Sequence, residues 1–393
     1  MPQIIKADVA IIGSGPSGLL LGHLLKAQGV EPVIIERQTR DYVLGRIRAG
    51  VLEKTTTDIL DQLGINERMN AEGLLHDGFA LGNGERTLRI DMKSLVGKEV
   101  MVYGQTEVTR DLMDAALERD VKIIYSADNT ALHDIESDTP SVTFDHDGQA
   151  YKIEARFIVG CDGYHGPSRK AVPASTGQEI ERAYPFGWLG ILADVPPCDE
   201  ELIYANHERG FALASMRSHT RSRYYVQVPL TENIEDWSDD RIWDELAIRL
   251  GPAVAKNITT GPSIEKSIAP LRSFVFEPMR HANLFLAGDS AHIVPPTGAK
   301  GLNLAASDVT YLSEALVDFF KKNSSTGIDE YSERALARVW KSEHFSWYLT
   351  RLTHRFPDDT VFDRRMQVSE FEYIETSEAM QRAIAENYVG FPL

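Results

Sequence analysis

Asp8-Val9-Ala10-Ile11-Ile12-Gly13-Ser14-Gly15-Pro16-Ser17-Gly18 is the stretch that decides the fold. The run up to Ile12 is apolar and largely β-branched, which suits a buried strand. A glycine-rich turn follows, then a segment of helical periodicity from Gly15 to Gly29, then a second strand pattern, Pro32-Val33-Ile34-Ile35-Glu36. Strand, turn, helix and strand make a βαβ unit, which implies a parallel sheet with a right-handed crossover. Within the G-x-G-x-x-G, Gly13 permits the tight turn, Gly15 lets the backbone approach a pyrophosphate, and Gly18 lets helix and strand pack closely. Free N–H groups and the dipole at the helix start favour an anion there. Glu36 ends the second strand, where a ribose hydroxyl needs an acceptor. A motif of this kind alone is usually only a turn; in this context it reads as a dinucleotide site that includes Ser14.

The rest of the chain sets bounds on that reading. Its 393 residues are 43% hydrophobic and 25% charged, enough for two or three substructures around substantial cores and too apolar for disorder. No run approaches the ~20 apolar residues needed to span a bilayer, and the N-terminus, carrying Lys6 and Asp8, does not read as a signal peptide. Cys161 and Cys198 are the two cysteines, too few for a disulfide framework and without metal-like spacing. A reducing cytoplasm is the expected compartment. With 41 basic and 58 acidic residues the net charge is −17, a surface that repels nucleic acid and anionic lipid. It also repels an anionic substrate unless basic residues gather locally. Arg46 with Arg48, and Arg217 with Arg221 and Arg223, are such gatherings, though an isolated arginine cluster is commonly a solvated stripe.

Beyond the βαβ unit, Tyr184–Val195, Glu201–Ser215 and Arg223–Pro229 are rich in aromatic and β-branched residues and read as strands. Trp237–Leu250 carries helical spacing. Nucleotide-domain character returns at Asn283, a turn from Pro295 to Gly301 leads into a helix near Leu304–Phe320, and Asp329–Asn387 reads as helices broken near Pro357. The expected fold is α/β: a Rossmann-like dinucleotide-binding domain interrupted by a β-rich substrate domain, with C-terminal helices. The expected division is 1–75 and 101–180 in the first two parts of the binding domain, 76–100 an excursion towards the substrate domain, 181–275 the substrate domain, and 276–393 the third part with the C-terminal helices.

The glycine motif does not separate FAD from a nicotinamide dinucleotide. Two further segments bear on that choice: Phe157-Ile-Val-Gly-Cys-Asp162-Gly163 followed by Tyr164-His165-Gly166-Pro167-Ser168-Arg169, and Leu284-Phe-Leu-Ala-Gly288-Asp289. Strand–Asp–Gly and strand–Gly–Asp endings are ordinary turn chemistry singly. Together with the N-terminal motif, they resemble the three-part signature of the class A flavoprotein aromatic hydroxylases. Four longer segments, Tyr42 to Glu53, Tyr103 to Arg110, Ser267 to Ser273 and Ala291 to Asn303, strengthen the resemblance, which runs from about residue 8 to residue 390.

The resemblance implies a FAD-dependent monooxygenase that uses NAD(P)H and O2 to hydroxylate a small phenolic acid, 4-hydroxybenzoate, to 3,4-dihydroxybenzoate. It implies that Glu36 holds the adenosine ribose, Asp289 the ribityl chain, and Arg46 and Gln105 other parts of FAD. The turn from Gly298 through Leu302 to Asn303 would set a helix N-terminus at the flavin pyrimidine ring, where such a terminus stabilises negative charge. Ser215, Arg217 and Tyr225 match a carboxylate clamp, a guanidinium fork with two hydroxyl donors. Tyr204 would meet the phenol, with Tyr388 behind it, His76 as the proton exit and Pro296 offering its carbonyl. Phenolate is a much better nucleophile than phenol, so a tyrosine that accepts or shares the phenol proton suits the chemistry. A tyrosine in a strand is usually half-buried packing, and these roles rest on the resemblance. Arg37, Arg40, Tyr42, Arg48, His165 and Arg272 are the candidates for the nicotinamide cofactor. Positive charge at Arg37 and Arg40 suits a 2′-phosphate, hence NADPH over NADH, although exposed loop arginines are commonplace. No metal set is evident, and a homodimer is implied. Alternatives stay open at this stage: a hydroxylase of 3-hydroxybenzoate, salicylate or 4-aminobenzoate, or a flavoprotein that oxidises NADPH without oxygenating. A plain NAD-dependent dehydrogenase would leave the Gly288-Asp289 turn without a role.

Overall fold

Apolar strands short enough to be wholly covered build the centre of the molecule, in a computed structural model that describes residues 2–45, 50–83 and 86–393. Val9–Ile12, Pro32–Ile35, Phe157–Gly160 and Leu284–Leu286 are buried along their length, as a sheet covered on both faces requires. They lie in a six-stranded sheet in the order Arg280–His281, Leu284–Leu286, Phe157–Gly160, Val9–Ile12, Pro32–Ile35, Lys122–Ile124, parallel except for the first. Helix Pro16–Ala27 packs against helix Gly301–Lys322. Gly13 adopts φ +105°, and a Cβ on Gly18 would stand 2.0 Å from the Gly13 carbonyl oxygen. The roles read from the motif for these two glycines are therefore steric facts of the fold.

The β-rich part is an eight-stranded sheet ordered His292–Ile293, Ser263–Glu277, Gln178–Ala193, Arg221–Pro229, Ala212–Ser218, Ile203–Ala205, Gly78–Gly82, Thr87–Asp91. The last two strands come from the chain's early excursion, Ala80 pairing parallel with Ile203. Side chains alternate across this sheet. Ile191, Ala214, Tyr224 and Val226 face helix Asp239–Leu250 through Trp243 and Leu246. Tyr204, Leu213, Tyr225 and Trp188 belong to the opposite core, shared with the C-terminal helices.

Several elements differ from the sequence expectation, among them the following. Glu201–Ser215 is not one strand: Ile203–Ala205 and Ala212–Ser218 run antiparallel, joined by a turn in which the Gly210 N–H donates to the His207 carbonyl at 2.9 Å and Gly210 takes φ +110°. The C-terminal region forms Thr326–Thr353, Val361–Thr376 and Glu378–Val389, with a second break where the Ser377 side chain caps the last helix. A four-stranded sheet of Gln3–Lys6, Gln149–Glu154, Ser141–His146 and Asp128–His133 was not anticipated.

Candidate active site

A cleft of about 1080 Å³ opens at the carboxyl ends of the central strands, at the upper end of the size range of small-molecule pockets. Gly13, Gly15, Glu36, Gln105, Asp289 and Leu302 line it. Helices Pro16–Ala27 and Gly301–Lys322 both begin at its wall, neither with a side-chain cap nor an acidic residue in its first turn. Their leading N–H groups are thus available to an anion. A Cβ on Gly15 would meet nothing within 4 Å, so the backbone faces open space where a pyrophosphate would lie. Glu36 accepts the Ser14 and Gln38 amides at 2.8 and 2.9 Å, which anchors its carboxylate at the cleft edge. Asp162 also lines the cleft, half-buried, with Oδ2 accepting the Ser168 amide at 2.9 Å and a buried Oδ1 without a protein partner. Burial pushes this carboxyl upward, against the Ser168 hydrogen bonds that favour its charge. An orphaned acceptor, two uncapped helix starts and an unfilled glycine cradle fit FAD.

Not every expected cofactor residue faces the cleft with its side chain. Asn303 is saturated: its Oδ1 accepts Glu53 N–H at 2.9 Å and Thr56 Oγ1–H at 2.7 Å, while Nδ2 donates to the Val51 and Ala299 carbonyls. Only its backbone N–H is left for the cofactor. Gly298 is buried against Ser346, whose Oγ would stand 2.4 Å from a Cβ, so it serves packing of the turn. Arg46 and Arg48 lie outside the described residues.

The nicotinamide candidates divide. Arg37, Tyr42, His165 and Arg272 line the same cleft. Arg37 and Tyr42 are exposed. Arg272 is held over the Tyr164 ring at 4.5 Å and paired with Glu181 at 3.2 Å. Arg40 does not line the cleft and is engaged by Asp114 at 2.5 Å. Tyr164, gripped between Arg169 and Arg272, was missed from sequence, although the Asp162-Gly163 turn beside it was the readable signal.

The proposed substrate residues gather on one face of the eight-stranded sheet. Leu213 pairs with Tyr204 on one side and with Tyr225 on the other, and Ser215 pairs with Arg223. The ladder shifts register between Met216 and Ser218, a bulge at the position of Arg217. Arg217 is half-buried, its Nε has no hydrogen-bond partner, and no acidic group among the described residues acts on it. Burial holds its guanidinium below the usual arginine range, Arg223 adds repulsion, and the Tyr225 hydroxyl beside it offsets part of this. Arg223, by contrast, has Glu265 at 3.2 Å.

At the other end of this face, the Tyr204 and Tyr388 hydroxyls are 2.9 Å apart in a buried contact. Phe79 stacks on Tyr388 at 4.2 Å and meets Tyr204 edge-on at 5.7 Å, fixing both rings. Burial pushes the Tyr204 phenol up to about 12, partly offset by its bond to Tyr388, and burial likewise holds Tyr388 well above the ordinary tyrosine range. Both are neutral at pH 7. His76 is buried, but neither ring nitrogen has a protein partner, so the hydrogen-bond chain ends at Tyr388. Burial lowers the His76 pKa, with Asp77 and Asp199 opposing. The Pro296 carbonyl accepts the Ala299 N–H at 3.0 Å, leaving one lone pair. A buried set that sequence reasoning missed secures the C-terminal helix: Lys300 Nζ donates to Glu53 at 2.6 Å and to the Tyr388 carbonyl at 2.9 Å, and Arg338 meets Glu53 at 3.3 Å.

A family model described as FAD binding domain matches residues 6–346, and the chain belongs to that family; with the relative described next, this makes it a FAD-dependent aromatic hydroxylase. It is 56% identical over 391 residues to p-hydroxybenzoate hydroxylase of Acinetobacter baylyi, covering 99% of this chain and 96% of that one. A probable NADH-specific resorcinol 4-hydroxylase of Rhodococcus jostii is 26% identical over 339 residues, 82% of this chain and 61% of the relative. Among solved structures, p-nitrophenol 4-monooxygenase of Pseudomonas putida superposes with a TM-score of 0.84 at 17% identity over the whole of both chains, a likeness of fold.

Proposed function

We propose that the protein hydroxylates 4-hydroxybenzoate to 3,4-dihydroxybenzoate with NADPH and O2, and that it works in the cytoplasm as a homodimer. The observation that carries the substrate assignment is Arg217, a guanidinium drawn into the protein with no carboxylate of its own. A guanidinium partly withdrawn from water without a counter-charge is disfavoured, and a substrate carboxylate supplies the missing charge. Ser215 and Tyr225 add hydroxyl donors. The kinship with p-hydroxybenzoate hydroxylase supports a phenol at the opposite end of the ring. FAD, when bound, supplies the electrophilic oxygen derived from O2. Tyr204 accepts the phenol proton while passing its own to Tyr388, which gives up its own proton in the same relay, so neither tyrosine is left charged. This suits two hydroxyls whose phenolate forms are both disfavoured by burial. His76 takes the proton onward once it is linked to Tyr388. Exposed Phe362, Met366 and Tyr373, spaced along one helix, support a second copy docking there.

The test is Tyr204→Phe, which removes one hydroxyl and almost no volume. FAD content and NADPH oxidation should persist while the ratio of 3,4-dihydroxybenzoate formed to NADPH consumed falls severalfold and hydrogen peroxide rises. A ratio equal to the parent's would mean that Tyr204 does not activate the phenol and that the site is misplaced.

A further inference from the structure

Below the Gly288-Asp289 turn lies a buried charge cluster with no part in the chemistry described so far. Asp308, on helix Gly301–Lys322, is 1% exposed, and His292, on the strand that follows the turn, is 2% exposed. One carboxylate oxygen, Asp308 Oδ2, accepts two hydrogen bonds, from the Gly288 N–H at 2.9 Å and from His292 Nε2 at 2.6 Å. Gly288 has φ +64°, and a Cβ there would press on Ser17 Oγ at 3.2 Å and Ala305 Cβ at 3.3 Å. The turn is therefore wedged between the first turn of helix Pro16–Ala27 and the second turn of helix Gly301–Lys322, the two helices whose N-termini face the cleft. Asp308 fastens it to one of them.

We propose that His292 and Asp308 are positioning residues for the cofactor: their buried ion pair clamps the Gly288-Asp289 turn onto helix Gly301–Lys322 and so sets the FAD affinity of the cleft. The proposal rests on the cleft taking FAD. A charged acceptor holds the Gly288 N–H more strongly than a neutral one, and His292 keeps that charge from standing unpaired in the interior. The groups facing the pair are Asp289 in the turn itself, Glu343 on helix Thr326–Thr353, and Tyr331 and Cys161 near Asp308. Arg169 approaches through its bond to the Ser290 carbonyl at 3.1 Å. Burial lowers the His292 pKa, but Asp308, Asp289 and Glu343 outweigh it and the net direction is upward. Stability of the clamp is thus fully present below the ordinary histidine value and is lost as pH rises through the raised one.

The experiment titrates apoprotein with FAD by flavin fluorescence between about pH 6 and 9. In the parent, the FAD Kd should increase across the upper part of that range. His292→Gln keeps an N–H near the Nε2 position without the charge; it should raise Kd at pH 6 roughly tenfold and flatten the pH dependence. Asp308→Asn should do the same, and the double variant should bind no worse than the weaker single one. Kd values within about twofold of the parent, an unaltered pH profile, or additive losses in the double variant would each overturn the clamp. If Asp308→Asn loses the far-ultraviolet circular dichroism of the parent apoprotein, His292→Gln decides alone. A parent that takes up no FAD at any pH defeats the cofactor reading itself, an outcome separate from any difference among variants.

Discussion

Arg217 and Asn303 carry similar sequence expectations, and the structure treats them oppositely. Arg217 is left without an acid or a partner for Nε, whereas Asn303 has every side-chain hydrogen-bonding group engaged by protein. The difference lies in neighbours contributed from positions up to 252 residues away, which no local pattern encodes. Arg217→Lys should therefore weaken 4-hydroxybenzoate binding by roughly 2 kcal/mol or more while FAD content stays at the parent level, because a lysine cannot present the bidentate fork. Equilibrium titration with the acid measures this, and an unchanged Kd would reduce Arg217 to an incidental charge. The motif glycines stand at the legible extreme: the positive φ of Gly13 and the absent Cβ of Gly18 are demands of the local backbone, and the local sequence announces them.

At the scale of elements, the loop after strand Pro32–Ile35 separates two arginines that look equivalent in sequence. Arg37 is exposed at the cleft, while Arg40 is engaged by Asp114 on a neighbouring helix. Arg37→Ala should raise the Michaelis constant for NADPH severalfold and leave that for NADH unchanged, and Arg40→Ala should alter the NADPH constant far less. Steady-state kinetics with both nucleotides checks the split; equal effects of Arg37→Ala on the two would dissociate this arginine from the 2′-phosphate. The hairpin joining Ser141–His146 to Gln149–Glu154 was legible and went unread. Its two-residue loop is Asp147-Gly148, with φ +50° and +74°, the turn chemistry that hairpins favour. The division of Glu201–Ser215 is also signalled, by Gly210. The surrounding run of apolar and aromatic residues masks that single turn signal.

At the scale of the whole molecule, the C-terminal helices are joined to the β-rich sheet through aromatic packing around one histidine. His354 is fully buried, stacked on Phe211 at 4.2 Å and Phe186 at 5.0 Å, and its Nε2 accepts the Trp188 indole N–H at 2.7 Å. A nitrogen that accepts cannot also carry a proton, and burial pushes the His354 pKa down to about 3. Its counterpart in the unfolded chain takes a proton near pH 6.5. The folded-state value is depressed, so stability falls as pH drops below the ordinary histidine range, by up to about 1.4 kcal/mol per pH unit from this group, until about pH 3. The thermal midpoint should decline between about pH 6.5 and 4.5, and His354→Gln, though less stable at pH 7, should decline less steeply over that range. Parallel slopes in calorimetry would show that His354 is not the group responsible.

The glycine motif, the alternation in the strands and the helix starts depend on residues within a few positions of one another, and on those the chain alone determined the parallel nucleotide-binding core. They also named the segments that line the cleft, because phosphate recognition uses backbone N–H groups and glycine geometry rather than distant partners. Tertiary structure alone decided which polar side chains remain available. Glu53 meets Lys300 across 247 positions, Tyr204 meets Tyr388 across 184, and Asp308 gathers Gly288 and His292 beneath the turn. A buried charge or hydroxyl acquires its proton affinity and its free valences from whatever the fold packs against it, and that packing is settled by the whole chain at once.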